Sequence, residues 1–198
     1  SGTIFLSGCN LRCAFCQNAD ISMSVIGRET PTDKLAELML ALEREGCENV
    51  NFVTPTHHAP QVAAAVLAAR RMGFAKPVVY NCGGYDGVEA LRLLEGVVDI
   101  YMPDAKFMSK DASKRYLDAE DYPERMQEAL TEMHRQVGTL VIRGGVAARG
   151  LLVRHLAMPG YAEDSRKVID FLAQQIGGFF KDYRAGVDHL RARRPVQH

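Results

Sequence analysis

The sequence has no net charge, no long apolar run and no even set of cysteines, and each absence narrows the range of functions. Lys plus Arg and Asp plus Glu both number 24 in 198 residues, so no overall field attracts nucleic acid or an anionic membrane. The apolar runs are far shorter than the roughly 18 residues that a membrane span requires. The sequence therefore predicts neither a nucleic-acid partner nor a membrane partner.

The pattern of a secretory signal is also missing, since no basic segment leads into an apolar stretch and a small-residue cleavage site. There is no initiator Met either, and we expect the sequence to lack its natural N-terminus. Five cysteines are present, three of them within eight residues. A secreted disulfide framework more often has an even number spread along the chain. The grouping favours a metal site in a reducing cytoplasm.

Apolar strand-like runs alternate with helix-like segments, and the composition is that of one globular domain. The predicted strands cover residues 3–7, 50–53, 77–80, 97–102, 139–142 and 151–156. The predicted helices cover residues 31–45, 61–71, 87–94, 111–137 with a break at Tyr122-Pro123, and 164–175. Glycines at 144, 145 and 150 also allow a local hairpin between the last two strands. The alternation predicts an α/β fold with a parallel sheet.

Polar and glycine-rich residues follow the predicted strands. They are Cys9 to Cys16, His57 and His58, Gly83 and Gly84, and Asp104 and Lys106. Ligands of parallel α/β sheets bind at the C-terminal strand ends, and in a barrel these ends converge on one central site. The pattern therefore favours a full or partial (β/α) barrel over an open doubly wound sheet.

Three cysteines stand in the stretch Cys9-Asn10-Leu11-Arg12-Cys13-Ala14-Phe15-Cys16. Thiolates are soft ligands that suit iron–sulfur clusters, and spacings this short let one loop wrap a compact cluster. A [4Fe–4S] cluster has four irons, so three thiolates leave one iron open to a further ligand. An open position of this kind is what a catalytic metal site needs.

Three other interpretations of the triad stay open at this point. The thiolates could form a zinc site completed by His57 or His58. They could lie buried on one face of a helix, because spacings of four and three match helical periodicity. The cluster could also only transfer electrons, with Cys47 or Cys82 as its fourth ligand.

The cysteine stretch, with Phe15 before its third cysteine, resembles the C-x3-C-x2-C motif of the radical S-adenosylmethionine (SAM) superfamily. In that superfamily the motif lies in the loop after the first strand. Within it, the chain is similar to the pyruvate formate-lyase activating enzyme-like proteins. The similarity is carried by residues 50–57, 80–86, 98–104 and 149–156, and it covers the chain as far as about residue 175.

The resemblance implies a partial (β/α)6 barrel, expected here over residues 1–176 and truncated at both ends. It implies that Cys9, Cys13 and Cys16 bind three irons of a [4Fe–4S] cluster, and that the methionyl amino and carboxylate groups of SAM chelate the fourth. One-electron reduction then cleaves the sulfonium, and the 5′-deoxyadenosyl radical abstracts hydrogen from a substrate.

Two places depart from the superfamily. The Gly-Gly-Glu segment that often holds the methionyl amino group reads Thr54-Pro55-Thr56-His57 here. We expect the hydroxyls of Thr54 and Thr56, backbone carbonyls and His57 to take its place. From residue 177 onward little resembles the family, and we expect a last strand near 178–180 and a polar helix or disordered basic segment over 185–194.

Charged residues after the later strands are expected at the cofactor. The resemblance places Asp104 and Lys106 near cofactor and substrate, as the catalytic pair, and the alternative is a surface ion pair. Arg154 and His155 are adjacent in a β-like run, so they point to opposite faces. Arg154 is expected to pair with the cofactor carboxylate through its planar fork.

Residues after the third strand complete the expected cofactor site. The resemblance includes Asn81, Gly83 and Gly84, and the glycines would let the adenosine approach the backbone or would simply form a tight turn. His57 and His58 would contact substrate or shuttle protons, or would hydrogen-bond locally. The two remaining cysteines, at 47 and 82, are expected to be packing or loop thiols.

The sequence thus predicts a radical SAM oxidoreductase whose substrate is a glycyl radical enzyme or a small molecule. A flavodoxin or ferredoxin is the reductant that the family implies. The main alternative is a non-radical iron–sulfur protein that carries electrons or senses redox state, and the third is a zinc-binding structural module.

Overall fold

The computed structural model describes residues 1–177. Within that range six strands are present: β1 (Gly2–Phe5), β2 (Val50–Val53), β3 (Val78–Cys82), β4 (Ile100–Pro103), β5 (Val141–Arg143) and β6 (Val146–Leu151). The helices are α1 (Ala19–Ser22), α2 (Thr32–Arg44), α3 (Ala59–Arg71), α4 (Val88–Arg92), α5 (Lys110–Leu117), α6 (Tyr122–Val137) and α7 (Ala162–Gln175). A short 3₁₀ turn covers Thr56–His58.

The strands form one sheet in the order β1-β2-β3-β4-β6-β5. All neighbours pair in parallel except β5, which pairs antiparallel with β6. Since no strand of residues 1–177 joins β1 to β5, the sheet is open. The α/β class and the partial, open barrel are confirmed, and the parallel register brings the C-terminal ends of β1 to β4 to one edge.

Two apolar clusters hold the sheet between its helices. Met39, Phe52 and Val66 belong to the cluster under α2 and α3, whereas Tyr101 and Met126 belong to the cluster formed with α5, α6 and α7. Strand β3 is buried along its whole length, as expected for a central parallel strand. No helix within residues 1–177 has the length and apolar character needed to cross a membrane.

The hairpin between β5 and β6 differs from the predicted strand bounds. The pattern puts Gly150 between two strands, but it lies inside β6, where a Cβ would come within 2.4 Å of the Leu140 Cα. Only glycine permits this approach, so the glycine that looked like a strand break marks a close backbone contact. Beyond β6 the chain still follows β4, because Arg154 N donates to Pro103 O at 2.9 Å.

The predicted break in the helical region is present, and it separates α5 from α6. Asp118 ends α5 with a φ of +56°, and Pro123 lies in the first turn of α6, where its missing N–H has no intrahelical partner to lose.

The strand predicted near residues 178–180 and the polar or disordered segment predicted over 185–194 lie outside the described residues.

Candidate functional site

Cys9, Cys13 and Cys16 lie in the loop between β1 and α1, at the edge where the parallel strands end. None of the three is in a helix, so the helix-face interpretation is wrong. All are partly buried free thiols. Burial raises the pKa of Cys9, and the charge of Cys16 adds to the rise. Burial also raises the pKa of Cys13 to about 11, although the nearby ammonium of Lys106 opposes it.

Three thiolates on one short loop are, by their chemistry, the donors that a four-iron cluster with one open iron would need. Each thiolate of such a cluster binds a different iron, so the sulfur atoms are spread further apart than the ligands of one ion. Within residues 1–177, no three His, Cys, Asp or Glu side chains are grouped as a single metal ion would need. The three thiols nonetheless share one short loop, and Cys16 lies close enough to raise the pKa of both Cys9 and Cys13.

The backbone of this cysteine loop is held by the end of α5. Arg12 N donates to Leu117 O at 2.9 Å, and Ala14 N donates to Tyr116 O at 2.8 Å. These two carbonyls belong to the last turn of α5, where carbonyl groups have no intrahelical partner. Each amide lies next to Cys13 in sequence, so the two hydrogen bonds define the path of the loop around its central thiol.

The loop after β3 packs against the cysteine loop. Leu11 is only 1% exposed, and a Cβ on Gly83 would lie 2.8 Å from its Cδ1 atom. A hydrogen bond also joins the two loops, because Asn10 Nδ2 donates to Tyr85 O at 2.5 Å. The absence of a side chain at Gly83 therefore makes room for Leu11.

A polar network joins the ends of β3, β4 and the chain after β6. Asp104 accepts hydrogen bonds on both carboxylate oxygens, from Lys106 Nζ and from Arg154 Nε, the latter at 2.8 Å. Arg154 Nη2 also donates to Asn81 Oδ1 at 2.8 Å. The four residues come together because β3, β4 and the segment after β6 are neighbours in the sheet, with Asp104 and Arg154 directly paired as a bridge.

This network borders the cysteine loop through Lys106. The side chain of Lys106 is 11% exposed, and its Nζ lies 5.9 Å from the ring centroid of Phe15. The same ammonium lowers the pKa of both Cys9 and Cys13 against the effect of burial. The expected catalytic pair and the expected cluster ligands therefore share one site.

His155 is directed away from the network, in agreement with the alternation along a β-like run. Its Nδ1 lies 2.5 Å from Ala105 O, whereas Arg154 reaches Asp104. The buried Nε2 of His155 has no hydrogen-bond partner among residues 1–177.

Thr54 carries backbone strain at the end of β2. Its φ is +56°, which is unusual for a β-branched residue and recurs where neighbouring structure imposes it. The hydroxyl already donates to Leu6 O at 2.9 Å, and the Thr54 N–H donates to Asn81 O at 3.0 Å. The Thr54 hydroxyl therefore has only acceptor capacity left for a cofactor.

The residues after Thr54 lie against the loop that precedes Cys9. A Cβ on Gly8 would lie 3.1 Å from His57 Nε2, and His58 Nε2 lies 3.5 Å from Ser7 O. Thr56 interacts instead with the buried carboxyl of Asp86. These side chains are separate from the Asp104 network.

Cys82 belongs to a buried cluster behind the site. Tyr80 Oη donates to Asp86 Oδ1 at 3.0 Å, and burial raises the pKa of Asp86. Burial likewise raises the pKa of the adjacent Cys82 thiol, which is 3% exposed. Cys47 lies in the loop before β2, at the opposite edge of the sheet from the cysteine loop.

Tyr122 is the residue of this site that sequence reasoning missed. Its hydroxyl lies 2.9 Å from Gly83 O, 2.9 Å from Asp104 O and 3.1 Å from Lys106 N. Beside it, a Cβ on Gly84 would lie 2.1 Å from Asp104 O, so the absence of a side chain there permits the loops after β3 and β4 to touch. In sequence Tyr122-Pro123 signals only a break in a helical region, because the partners of a buried hydroxyl depend on packing.

Comparisons with known proteins agree with this geometry. The sequence profile of the radical SAM superfamily matches residues 3–172. An uncharacterized protein of Methanocaldococcus jannaschii is 30% identical over 185 residues, which cover 89% of this chain and 50% of that protein. The chain spans about half the length of this curated relative.

Proposed function

We propose that this chain, which belongs to the radical SAM superfamily, holds a [4Fe–4S] cluster on Cys9, Cys13 and Cys16 and cleaves SAM reductively. Family membership implies the cluster, SAM and an enzyme of the radical SAM type. When bound and reduced by an external donor, the cluster would supply the electron for cleavage of the SAM sulfonium to methionine and a 5′-deoxyadenosyl radical, which would abstract hydrogen from a substrate. The observation that carries the ligand assignment is a loop with three partly buried free thiols beside Lys106.

The charges around Asp104 support a binding site for the methionyl group of SAM. Two cationic side chains, Lys106 and Arg154, share one carboxylate, so the network carries an excess positive charge at the strand ends. Such an excess suits the carboxylate of an amino acid, which a guanidinium group binds well, and Nε and Nη2 of Arg154 are themselves held by Asp104 and Asn81. Asp104 is the complementary acceptor for an ammonium, and Asn81 orients the Arg154 fork.

Fewer observations support the other expected cofactor contacts, which are those of the residues after β2 and β3. Thr54 can contribute an acceptor lone pair or backbone carbonyl, since its hydroxyl proton is engaged with Leu6 O. His57 follows β2 and lies against Gly8, just before the cysteine loop, so it is available to a ligand there, whereas the side chain of Thr56 is engaged with Asp86 and offers its backbone carbonyl. Gly83 and Gly84 keep side chains out of the same edge, although their closest contacts are with protein atoms.

Within the superfamily, we propose that the chain belongs to the pyruvate formate-lyase activating enzyme-like group and is an oxidoreductase. Residues 1–176 would form its core domain. The open sheet supports access for a peptide loop of a glycyl radical enzyme, and a small molecule could use the same opening. A flavodoxin or ferredoxin would supply the electron, since superfamily members generally need such a reductant. Five free cysteines support a reducing, cytoplasmic setting.

An electron carrier would need a fourth protein ligand to close the cluster. Cys47 lies at the opposite edge of the sheet, and Cys82 is buried against Asp86. Neither thiol supports a closed cluster, and this favours the radical enzyme over a carrier or redox sensor.

The test is anaerobic reconstitution with iron and sulfide, followed by reduction with dithionite, addition of SAM and detection of 5′-deoxyadenosine. We expect about four irons per chain, release of 5′-deoxyadenosine and a change in the EPR signal of the reduced cluster when SAM is added. A cluster without cleavage or an EPR response would contradict the radical proposal and favour an electron carrier. Tightly bound zinc without iron would contradict the ligand assignment itself.

A further inference from the structure

We infer that Tyr122 is a positioning residue of the proposed site, and that its hydroxyl sets where Asp104 and Lys106 stand relative to the cysteine loop. The inference rests on the proposed function, because the chemistry of Asp104 and Lys106 is itself proposed. It goes further by assigning a specific task to a buried side chain outside the charged network.

The hydroxyl of Tyr122 lies at the junction of two strand-end loops. A phenol has one proton to donate and lone pairs to accept, so Tyr122 can serve a carbonyl and an amide at once. The proton is directed to Gly83 O or Asp104 O, each at 2.9 Å, while the oxygen accepts from Lys106 N at 3.1 Å. One group thus contacts the backbone at both ends of the Asp104-Ala105-Lys106 segment and at the loop after β3.

Tyr122 is fully buried, so water cannot replace these hydrogen bonds without entering the core. Burial also raises its pKa well above the usual range of a phenol, which keeps the donor protonated at any physiological pH. Close packing reinforces the junction, since the backbone of Gly84 meets Asp104 O with no room for a Cβ.

The ring of Tyr122 connects this junction to the cysteine loop. It stacks on Tyr85 with centroids 6.0 Å apart, and Tyr85 O accepts from Asn10 Nδ2. Tyr122 is also the first residue of α6, the longest described helix, so its backbone is held by a regular element. Removal of the hydroxyl should therefore let Asp104 and Lys106 shift while the cysteine loop stays intact.

The test compares Tyr122→Phe with Tyr101→Phe. Tyr101 is also fully buried, and its hydroxyl donates to Gln136 Oε1 at 2.7 Å, away from the proposed site. Tyr101→Phe loses one buried hydrogen bond, whereas Tyr122→Phe loses a donated and an accepted one, so we expect a larger loss of stability in Tyr122→Phe but full iron loading in both. Only Tyr122→Phe should weaken SAM binding, by about tenfold, and slow formation of 5′-deoxyadenosine.

A double-mutant cycle separates positioning from a general structural effect. If Tyr122 acts through Lys106, Tyr122→Phe should lower SAM affinity much less in a Lys106→Met background than in the wild type. Equal effects in the two backgrounds would overturn the inference. So would a loss of SAM affinity in Tyr101→Phe as large as that in Tyr122→Phe.

A second readout does not depend on activity. In the iron-free protein, the Lys106 amide donates to Tyr122, so its hydrogen exchange should accelerate in Tyr122→Phe and not in Tyr101→Phe. Unchanged exchange would overturn the inference. If the wild type fails to bind or cleave SAM, the proposed function is wrong, whereas the exchange measurement still decides whether Tyr122 orders this segment.

Discussion

Replacement of Gly84 by Ala probes the closest approach in the candidate site. The added Cβ would lie 2.1 Å from the carbonyl oxygen of Asp104 and 3.2 Å from the Tyr122 hydroxyl. The oxygen belongs to the backbone next to β4, so it cannot rotate away as the end of a flexible side chain could. The loops after β3 and β4 would have to separate, which also displaces Asp104.

Two effects add up in the expected loss of stability. Gly84 has a φ of +78°, and the left-handed region costs a non-glycine residue about 1–2 kcal/mol. Forcing an extra carbon into packed surroundings costs about 1–3 kcal/mol more. We therefore expect Gly84→Ala to lower the free energy of unfolding by about 2–5 kcal/mol, a large share of the ~5–15 kcal/mol typical of a domain.

Gly46→Ala is the matched control. Gly46 has a similar φ of +84°, but a Cβ there would have no atom within 4 Å. It should therefore show only the conformational cost of about 1–2 kcal/mol. Urea unfolding followed by circular dichroism measures both variants, and an equal loss of unfolding free energy in the two would refute the argument that Gly84 is required by a close contact.

Three further changes test the ligands, the charged network and the buried carboxyl. Cys13→Ala should abolish iron binding and SAM cleavage, whereas Cys47→Ala should leave both intact. Brown colour with full turnover in the first variant, or iron loss in the second, would contradict the ligand assignment. Arg154→Lys should raise the Kd for SAM about tenfold, because an ammonium cannot reproduce the planar fork, yet it should change stability by less than about 1 kcal/mol at this half-exposed position. Unchanged affinity would remove Arg154 from the proposed site. Burial raises the pKa of Asp86, so the folded protein holds this proton more tightly than the unfolded chain, and the carboxyl costs stability as pH rises above about 4. Asp86→Asn keeps an acceptor for Tyr80, and its urea midpoint should exceed that of the wild type more at pH 7 than at pH 4; a pH-independent difference would show that Asp86 is not the cause.

The class of fold could be predicted because it depends on local patterns. Alternating apolar runs and helix signals place most strands and helices within a few residues of their positions, but α1 was not predicted and β6 lies about five residues before the strand predicted over 151–156. The prediction that Gly150 separates two strands was wrong for a physical reason. A glycine between apolar runs gives the same sequence pattern whether it ends a strand or lets residues 139 and 140 pass close to β6. Only the neighbouring backbone distinguishes the two cases.

Much of the proposed site followed from the rule that ligands bind at the C-terminal ends of parallel strands. Asp104 and Lys106 were predicted from the family resemblance and their place after a strand, and Arg154 from its planar fork within a β-like run; the three lie in one network. The spacing of Cys9, Cys13 and Cys16 is a property of the sequence itself, so the motif can be recognised without a structure.

Packing decided which groups hold these residues in place. The hydrogen bonds of Tyr122 join it to residues 16, 18 and 39 positions away, and the need for glycine at position 83 arises from Leu11 in another loop. Contacts of this kind have no local signal, because they exist only once β3, β4 and α6 are assembled. The chemistry of the reactive groups can be read along the chain, whereas their support depends on distances between segments that only the folded protein brings together.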